Sequence, residues 1–140
     1  MIYRPSNSTR RAALAGLAAI GAMLGLSAPV VAQGGGLSML GTLSKGEWTI
    51  KQRGVRPDRK ICIKSGAELI QLVHREGGCS RFVVEDGVSR VTVQYTCPAN
   101  GYGRTSIRRE TGALVQIESQ GIQAGKPFEL TAEARRTGSC

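Results

Sequence analysis

The chain has 140 residues, with 19 Lys and Arg against 10 Asp and Glu for a formal net charge of +9, and it carries four cysteines, one histidine and aromatics at only 4%. This length suits a single domain. Bases interleaved with acids, few aromatics and no recognition motif argue against a nucleic-acid-binding module. A lone histidine, with no two cysteines at the close spacing of zinc motifs, argues against a metal centre.

Residues 1–32 read as a cleaved export signal. Arg4, Arg10 and Arg11 form a basic start without any acid, Ala12 to Leu26 is an apolar run, and Val30-Val31-Ala32 supplies the small residues expected before a cut that leaves Gln33 as the new N-terminus. The run is diluted by Gly16, Gly21 and Gly25, and it falls short of the roughly 20 strongly apolar residues of a membrane span. Thr9-Arg10-Arg11-Ala12-Ala13-Leu14 resembles a twin-arginine signal with Ala13 where Phe is typical; an ordinary secretory start is the alternative. Either route leads to a periplasmic or secreted protein. Cleavage removes three bases, so Lys and Arg fall from 19 to 16 against 10 acids, and the mature charge is +6.

Residues 33–45 are Gly-rich at their start and mostly uncharged, which reads as a flexible lead-in. One disulfide-stapled domain is expected over 46–140. Glu47 to Arg53 alternates, with Trp48, Ile50 and Gln52 on one side of a strand. Trp48, the only tryptophan, is expected in the core rather than as a ligand platform. Lys60 to Lys64 is a short second strand. Ser65 to Arg75 is the one expected helix: Ser65 and Glu68 make a capping box, Leu69, Ile70, Leu72 and Val73 an apolar stripe, and Gly77-Gly78 a stop. His74 is then a surface residue beside the helix's negative end, not a base or a ligand.

Everything after the helix reads as β. Arg81 to Glu85, Arg90 to Thr96, Arg104 to Glu110, Leu114 to Ile122 and Pro127 to Arg135 are strands separated by short turns. Centring the last turn on residues 123–126 sets Phe128 opposite Gly121, Leu130 opposite Ser119, Ala132 opposite Ile117 and Ala134 opposite Val115, so both strands bury one face. The expected fold is mainly β (α+β): a curved antiparallel meander or partial barrel of six to seven strands, with the helix on its concave or open side.

Cys62, Cys79, Cys97 and Cys140 form an even set in an exported chain, which reads as a disulfide framework. The hairpin between Cys79 and Cys97 turns near residue 88, midway between them, so they meet at its open end. Its register needs a bulge, because Phe82 and Val84 miss the face of Val91, Val93 and Tyr95. Cys62 would then pair with Cys140. The rival connectivity is Cys62–Cys79 with Cys97–Cys140.

Gly46-Glu47-Trp48-Thr49-Ile50, the cysteine order and the terminal Arg135-Arg136-Thr137-Gly138-Ser139-Cys140 together resemble the exported bacterial family called domain of unknown function 3617. The resemblance covers nearly all of the mature chain. It departs at Val115-Gln116-Ile117-Glu118, where many members carry a Met-rich strand. The family implies no activity and no catalytic residues.

No G-x-S-x-G motif, phosphate loop or spare thiol is present, and the acids are scattered. No enzymatic activity, no catalytic residue and no cofactor are expected. The leading reading is a non-catalytic envelope domain with a binding or structural role, as a monomer. The alternatives are a proteinaceous inhibitor of a hydrolase and a carrier of a small apolar ligand. Basic charge counts against lysozyme, itself basic, as an inhibitor's target. The partner is unknown; an anionic envelope surface or an acidic protein would suit the charge. Arg104, Arg108, Arg109, Arg135 and Arg136 are the candidate patch, provided their strands are neighbours.

N-terminal sequencing of the exported form should begin at Gln33, give or take a few residues; an intact Met1 chain held in the inner membrane would contradict the signal.

Overall fold

Alternating apolar residues build one curled, open antiparallel sheet in the computed structural model, which describes residues 37–140. The export signal, its cut and the start of the lead-in lie outside the described residues. Seven strands follow in chain order: β1 (Gly46–Gln52), β2 (Arg59–Ile63), β3 (Ser80–Asp86), β4 (Arg90–Cys97), β5 (Gly101–Thr111), β6 (Leu114–Gln123) and β7 (Lys126–Gly138). Their order across the sheet is β2-β1-β7-β6-β5-β4-β3. The meander from β3 to β7 is therefore continued by the first two strands of the domain.

The last hairpin has the register its turn dictates: Phe128 faces Gly121, Leu130 faces Ser119, Ala132 faces Ile117 and Ala134 faces Val115. The hairpin of β3 and β4 has a bulge between Val83 and Glu85, but it does not bring Phe82 and Val84 onto the face of Val91, Val93 and Tyr95: Phe82 pairs with Gln94, and both side chains are exposed on this edge strand. One face of the sheet holds the core: Trp48 and Ile50 of β1, Val91, Val93 and Tyr95 of β4, Ile107 of β5 and Ile117 of β6 are all buried. Trp48 is fully enclosed and donates its Nε1–H to Ser44 O at 2.9 Å.

Two segments differ from the sequence expectation. Residues 37–45 are not a loose lead-in. They form α1 (Ser38–Gly41), and Met39, Leu40 and Leu43 are buried in the core. A single helical turn carries too few residues to show a period, but its Met39 and Leu40, with Leu43 just beyond it, join the core.

The helix expected over Ser65–Arg75 shrinks to one 3-10 turn, Ala67–Leu69. Gly66 is the reason at the start. Its φ of +84° is left-handed, and a Cβ there would sit 2.7 Å from Leu40 O. Half of the capping box survives, with Ser65 N donating to Glu68 Oε1 at 3.2 Å, while Ser65 Oγ accepts from Ala67 N instead of Glu68 N. Beyond the turn, side chains of the sheet take the backbone carbonyls that helical amides would use. Thr105 Oγ1 donates to Ile70 O at 2.7 Å, Arg59 Nη1 to Leu72 O at 3.0 Å and Gln123 Nε2 to Val73 O at 3.1 Å. Ile70, Leu72 and His74 are buried, and Gln71 and Val73 are half-buried.

The disulfides are Cys79–Cys97 and Cys62–Cys140, with no free cysteine among the described residues. The second ties β2 to the end of β7 across β1, and it stands where the G-x-W and R-R-x-G-x-C stretches run side by side. Trp48 pairs with Arg136, Thr49 with Arg135 and Glu47 with Gly138, with a bulge after Glu47. Gly46 has φ +136°, and a Cβ on it would collide with Gly138 O, so glycine is required there. Arg136 Nε donates to Lys45 O at 2.8 Å and locks the corner.

The loops closed by the two bridges differ in span, 78 against 18 residues. Cys62→Ser with Cys140→Ser should therefore cost about 4.5 kcal/mol of unfolding free energy, and Cys79→Ser with Cys97→Ser about 3 kcal/mol, on the chain-entropy relation. Urea titration of both variants checks the order; a smaller loss from the long bridge would contradict it.

Candidate functional site

The only histidine is not on the surface. His74 is completely buried on the core side of the sheet. Its Nε2 lies 3.2 Å from Asn100 O and 3.1 Å from Ile122 O, and its Nδ1 lies 3.1 Å from Tyr95 Oη. Two carbonyls can only accept, so Nε2 carries the proton, and Nδ1 accepts from the tyrosine. Burial pushes the Tyr95 hydroxyl above its ordinary pKa, which keeps it a donor. The rings of Tyr95 and Phe128 meet the imidazole edge-on, at 5.3 and 5.7 Å between centroids. Thr105 and Ser119 continue the polar seam, their hydroxyls 2.7 Å apart.

A His-Tyr-Ser grouping resembles catalytic machinery, but here every imidazole nitrogen is bonded within the protein and solvent does not reach it. Its work is mechanical. It pins the β2–β3 connection onto β4, the β4–β5 turn and β6. The concave side is otherwise filled by Met39, Leu40, Leu69, Ile70 and Leu72.

The connection has a second consequence. β2 and β3 are the two edges of the sheet, and residues 64–79 pass between them. Ile61 and Cys62 of β2, the connection itself, and Cys79 and Arg81 at the start of β3 line one groove of about 490 Å³. Three arginines converge on it: Arg59, Arg75 and Arg81. None forms an ion pair among the described residues, where the four pairs are Arg56–Asp58, Lys60–Glu47, Arg108–Glu110 and Arg135–Glu133.

The two groove carboxylates, Glu68 and Glu76, are bonded to other groups. Glu76 accepts from Asn100 Nδ2. Glu68 is partly buried, which works against its charge, yet the backbone N–H groups of Glu68 itself, Lys64 and Ser65 hold its pKa below the ordinary value. Arg81 donates its Nε to Gln71 Oε1 at 2.8 Å. Arg59 donates Nη1 to Leu72 O, while its Nε is buried without a partner. Burial first, and then the charge of nearby Arg75, lowers the pKa of Arg59 from the usual guanidinium value.

The five arginines singled out in the sequence do not form one patch. Arg104, Arg108 and Arg109 lie on β5 and Arg135 and Arg136 on β7, with β6 between them. They also divide between the faces. Arg104, Arg108 and Arg135 are exposed on the outer face, where Arg108 pairs with Glu110 and Arg135 with Glu133. Arg109 and Arg136 follow the core-facing rows of Ile107 and Ala134. Arg109 turns to Val88 O and Arg136 to Lys45 O. Cys62 and Cys79, placed in the sequence as staples only, both border the groove. Arg59, Arg75 and Arg81 come from an edge strand, a connection and the opposite edge, so no local motif unites them.

The chain matches no family model, no curated protein and no solved structure.

His74→Ala should lower stability by about 3 kcal/mol, because it opens a cavity and removes a buried donor from the carbonyls of Asn100 and Ile122. Tyr95→Phe should cost about 1 kcal/mol. Chemical denaturation of both variants reads this; an alanine variant within about 0.5 kcal/mol of the parent, as expected for a surface residue, would remove His74 from the core account.

Proposed function

We propose that this chain is an exported, non-catalytic binding domain, and that it engages an anionic component of the cell envelope at the groove between its sheet edges. One observation carries the reading: Arg59, Arg75 and Arg81 converge on an open groove without a carboxylate partner among the described residues, whereas the outer-face bases Arg108 and Arg135 are neutralised by acids on their own strands. A net charge of +6 after signal removal would steer the domain toward anionic surfaces.

Two disulfides support an oxidising compartment, and the twin signature stretches at the β1–β7 corner support kinship with the domain of unknown function 3617 family. Gly46, Trp48, Arg136 and Cys140 meet there for structural reasons, which suits a family defined by a scaffold. The sealed state of His74 supports the absence of a catalytic role, since a general base must reach its substrate.

Vesicles containing anionic lipid should bind the oxidised mature protein at low salt and release it as the ionic strength passes through the range where exposed charges are screened. Arg75→Glu with Arg81→Glu should abolish that binding without a comparable fall in melting temperature, and Arg104→Glu with Arg108→Glu should weaken it much less. Equal binding by the groove variant would refute the assignment of the site.

A further inference from the structure

Arg59 and Arg75 stand between two recesses. Both line the groove of about 490 Å³, and both line a neighbouring recess of about 370 Å³ bounded by Ile50, Val55, Arg56 and Pro57. In the unliganded protein this pair is electrostatically unsatisfied. Two like charges sit close together, Arg59 is only partly solvated, and its Nε–H has no acceptor. A buried N–H left unpaired is costly, and the repulsion adds to it. The two acids of the larger groove, Glu68 and Glu76, bond other groups and form no ion pair with either arginine, and in the smaller recess Asp58 is bonded to Arg56.

We propose that Arg59 and Arg75 form a seat for a phosphate monoester dianion. The proposal rests on the groove being the binding site and adds what it recognises. A phosphate has the charge to cancel the repulsion between two guanidinium groups, and enough oxygens to accept from both forks at once. By turning toward the groove, Arg59 gives its orphan Nε–H an acceptor in exchange for the bond to Leu72 O. Arg75, exposed in the connection, closes on the same oxygens from the other side. Arg81, held by Gln71 at the far edge, adds charge at the rim without entering the seat. A carboxylate fits less well, because it brings one charge and two oxygens to a site with two forks. The phosphate can come from a lipid headgroup or from a free phosphate monoester, and both present the same terminal group.

Inorganic phosphate titrated into the oxidised protein at neutral pH and low ionic strength is the direct test, read by backbone amide shifts. Shifts are expected in Arg59 and in residues 72–78, with acetate binding at least roughly tenfold more weakly. Arg59→Lys keeps the charge and removes the fork, so it should weaken phosphate binding by about tenfold. Arg75→Lys, at an exposed position, should do the same and serves if the first variant does not fold. Acetate binding as well as phosphate, or both Lys variants binding phosphate as the parent does, overturns the seat. If anionic vesicles still bind through Arg75 and Arg81 while phosphate does not bind at all, the seat is refuted and the groove as binding site stands. Two outcomes support the seat and identify the source. Phosphatidic acid vesicles that bind more tightly than free phosphate and are released by it indicate a lipid headgroup. Glycerol phosphate binding without any preference for phosphatidic acid over phosphatidylglycerol vesicles indicates a free monoester.

Discussion

A sheet that curls without closing leaves a gap between its edge strands, and this protein fills that gap with the segment joining them. Beyond the 3-10 turn at Ala67–Leu69, the segment has neither a helix nor a strand to satisfy its backbone. Its carbonyls are taken one by one by Thr105, Arg59 and Gln123, and its end is anchored by a buried imidazole bonded to Tyr95, Asn100 and Ile122. Without His74 the carbonyls of Asn100 and Ile122 would lose a donor and the apolar residues Leu69, Ile70 and Leu72 would lose their hold on the sheet. The groove, its arginines and the position of the Cys79–Cys97 bridge all follow from how that segment lies.

The disulfides work with this arrangement from both ends. Cys62–Cys140 fastens the edge strand β2 to the terminus of β7, over a corner that needs a glycine at position 46 and the Arg136 guanidinium on Lys45 O. Cys79–Cys97 fastens the far end of the connection to β4. The segment is therefore tethered at each end by a covalent bond and in the middle by polar contacts. This fixes where Arg59, Arg75 and Arg81 stand around the groove.

What could be read from the sequence followed from local rules. The β6–β7 register emerged residue by residue because the Ala124-Gly125 turn and the alternation from Val115 to Ile117 and from Leu130 to Ala134 admit one pairing that buries a single face. The parity conflict in β3 is not repaired by its bulge, because Phe82 still pairs with Gln94 and both Phe82 and Val84 stay exposed on an edge strand, whereas the disulfide pairing followed from the hairpin itself. The rest depended on distant contacts. An apolar stripe over Leu69–Val73 is the same whether a helix or a pinned loop presents it, and the partners that decide the matter lie 13 to 50 residues away. His74 has the same difficulty, with its partners 21, 26 and 48 residues off. The basic patch was sought along strands, where Arg108 and Arg135 pair with acids of their own strands; Arg59, Arg75 and Arg81 instead border one groove where two edges and a connection meet.

The central claim is that a sealed imidazole holds the connection in place. Long-range nitrogen–proton correlation spectra of the oxidised protein at neutral pH report on it directly. The account predicts a single Nε2–H tautomer for His74, a non-protonated Nδ1 and an imidazole proton that exchanges slowly with water. A rapidly exchanging ring with averaged nitrogen shifts, as an exposed histidine gives, would contradict it.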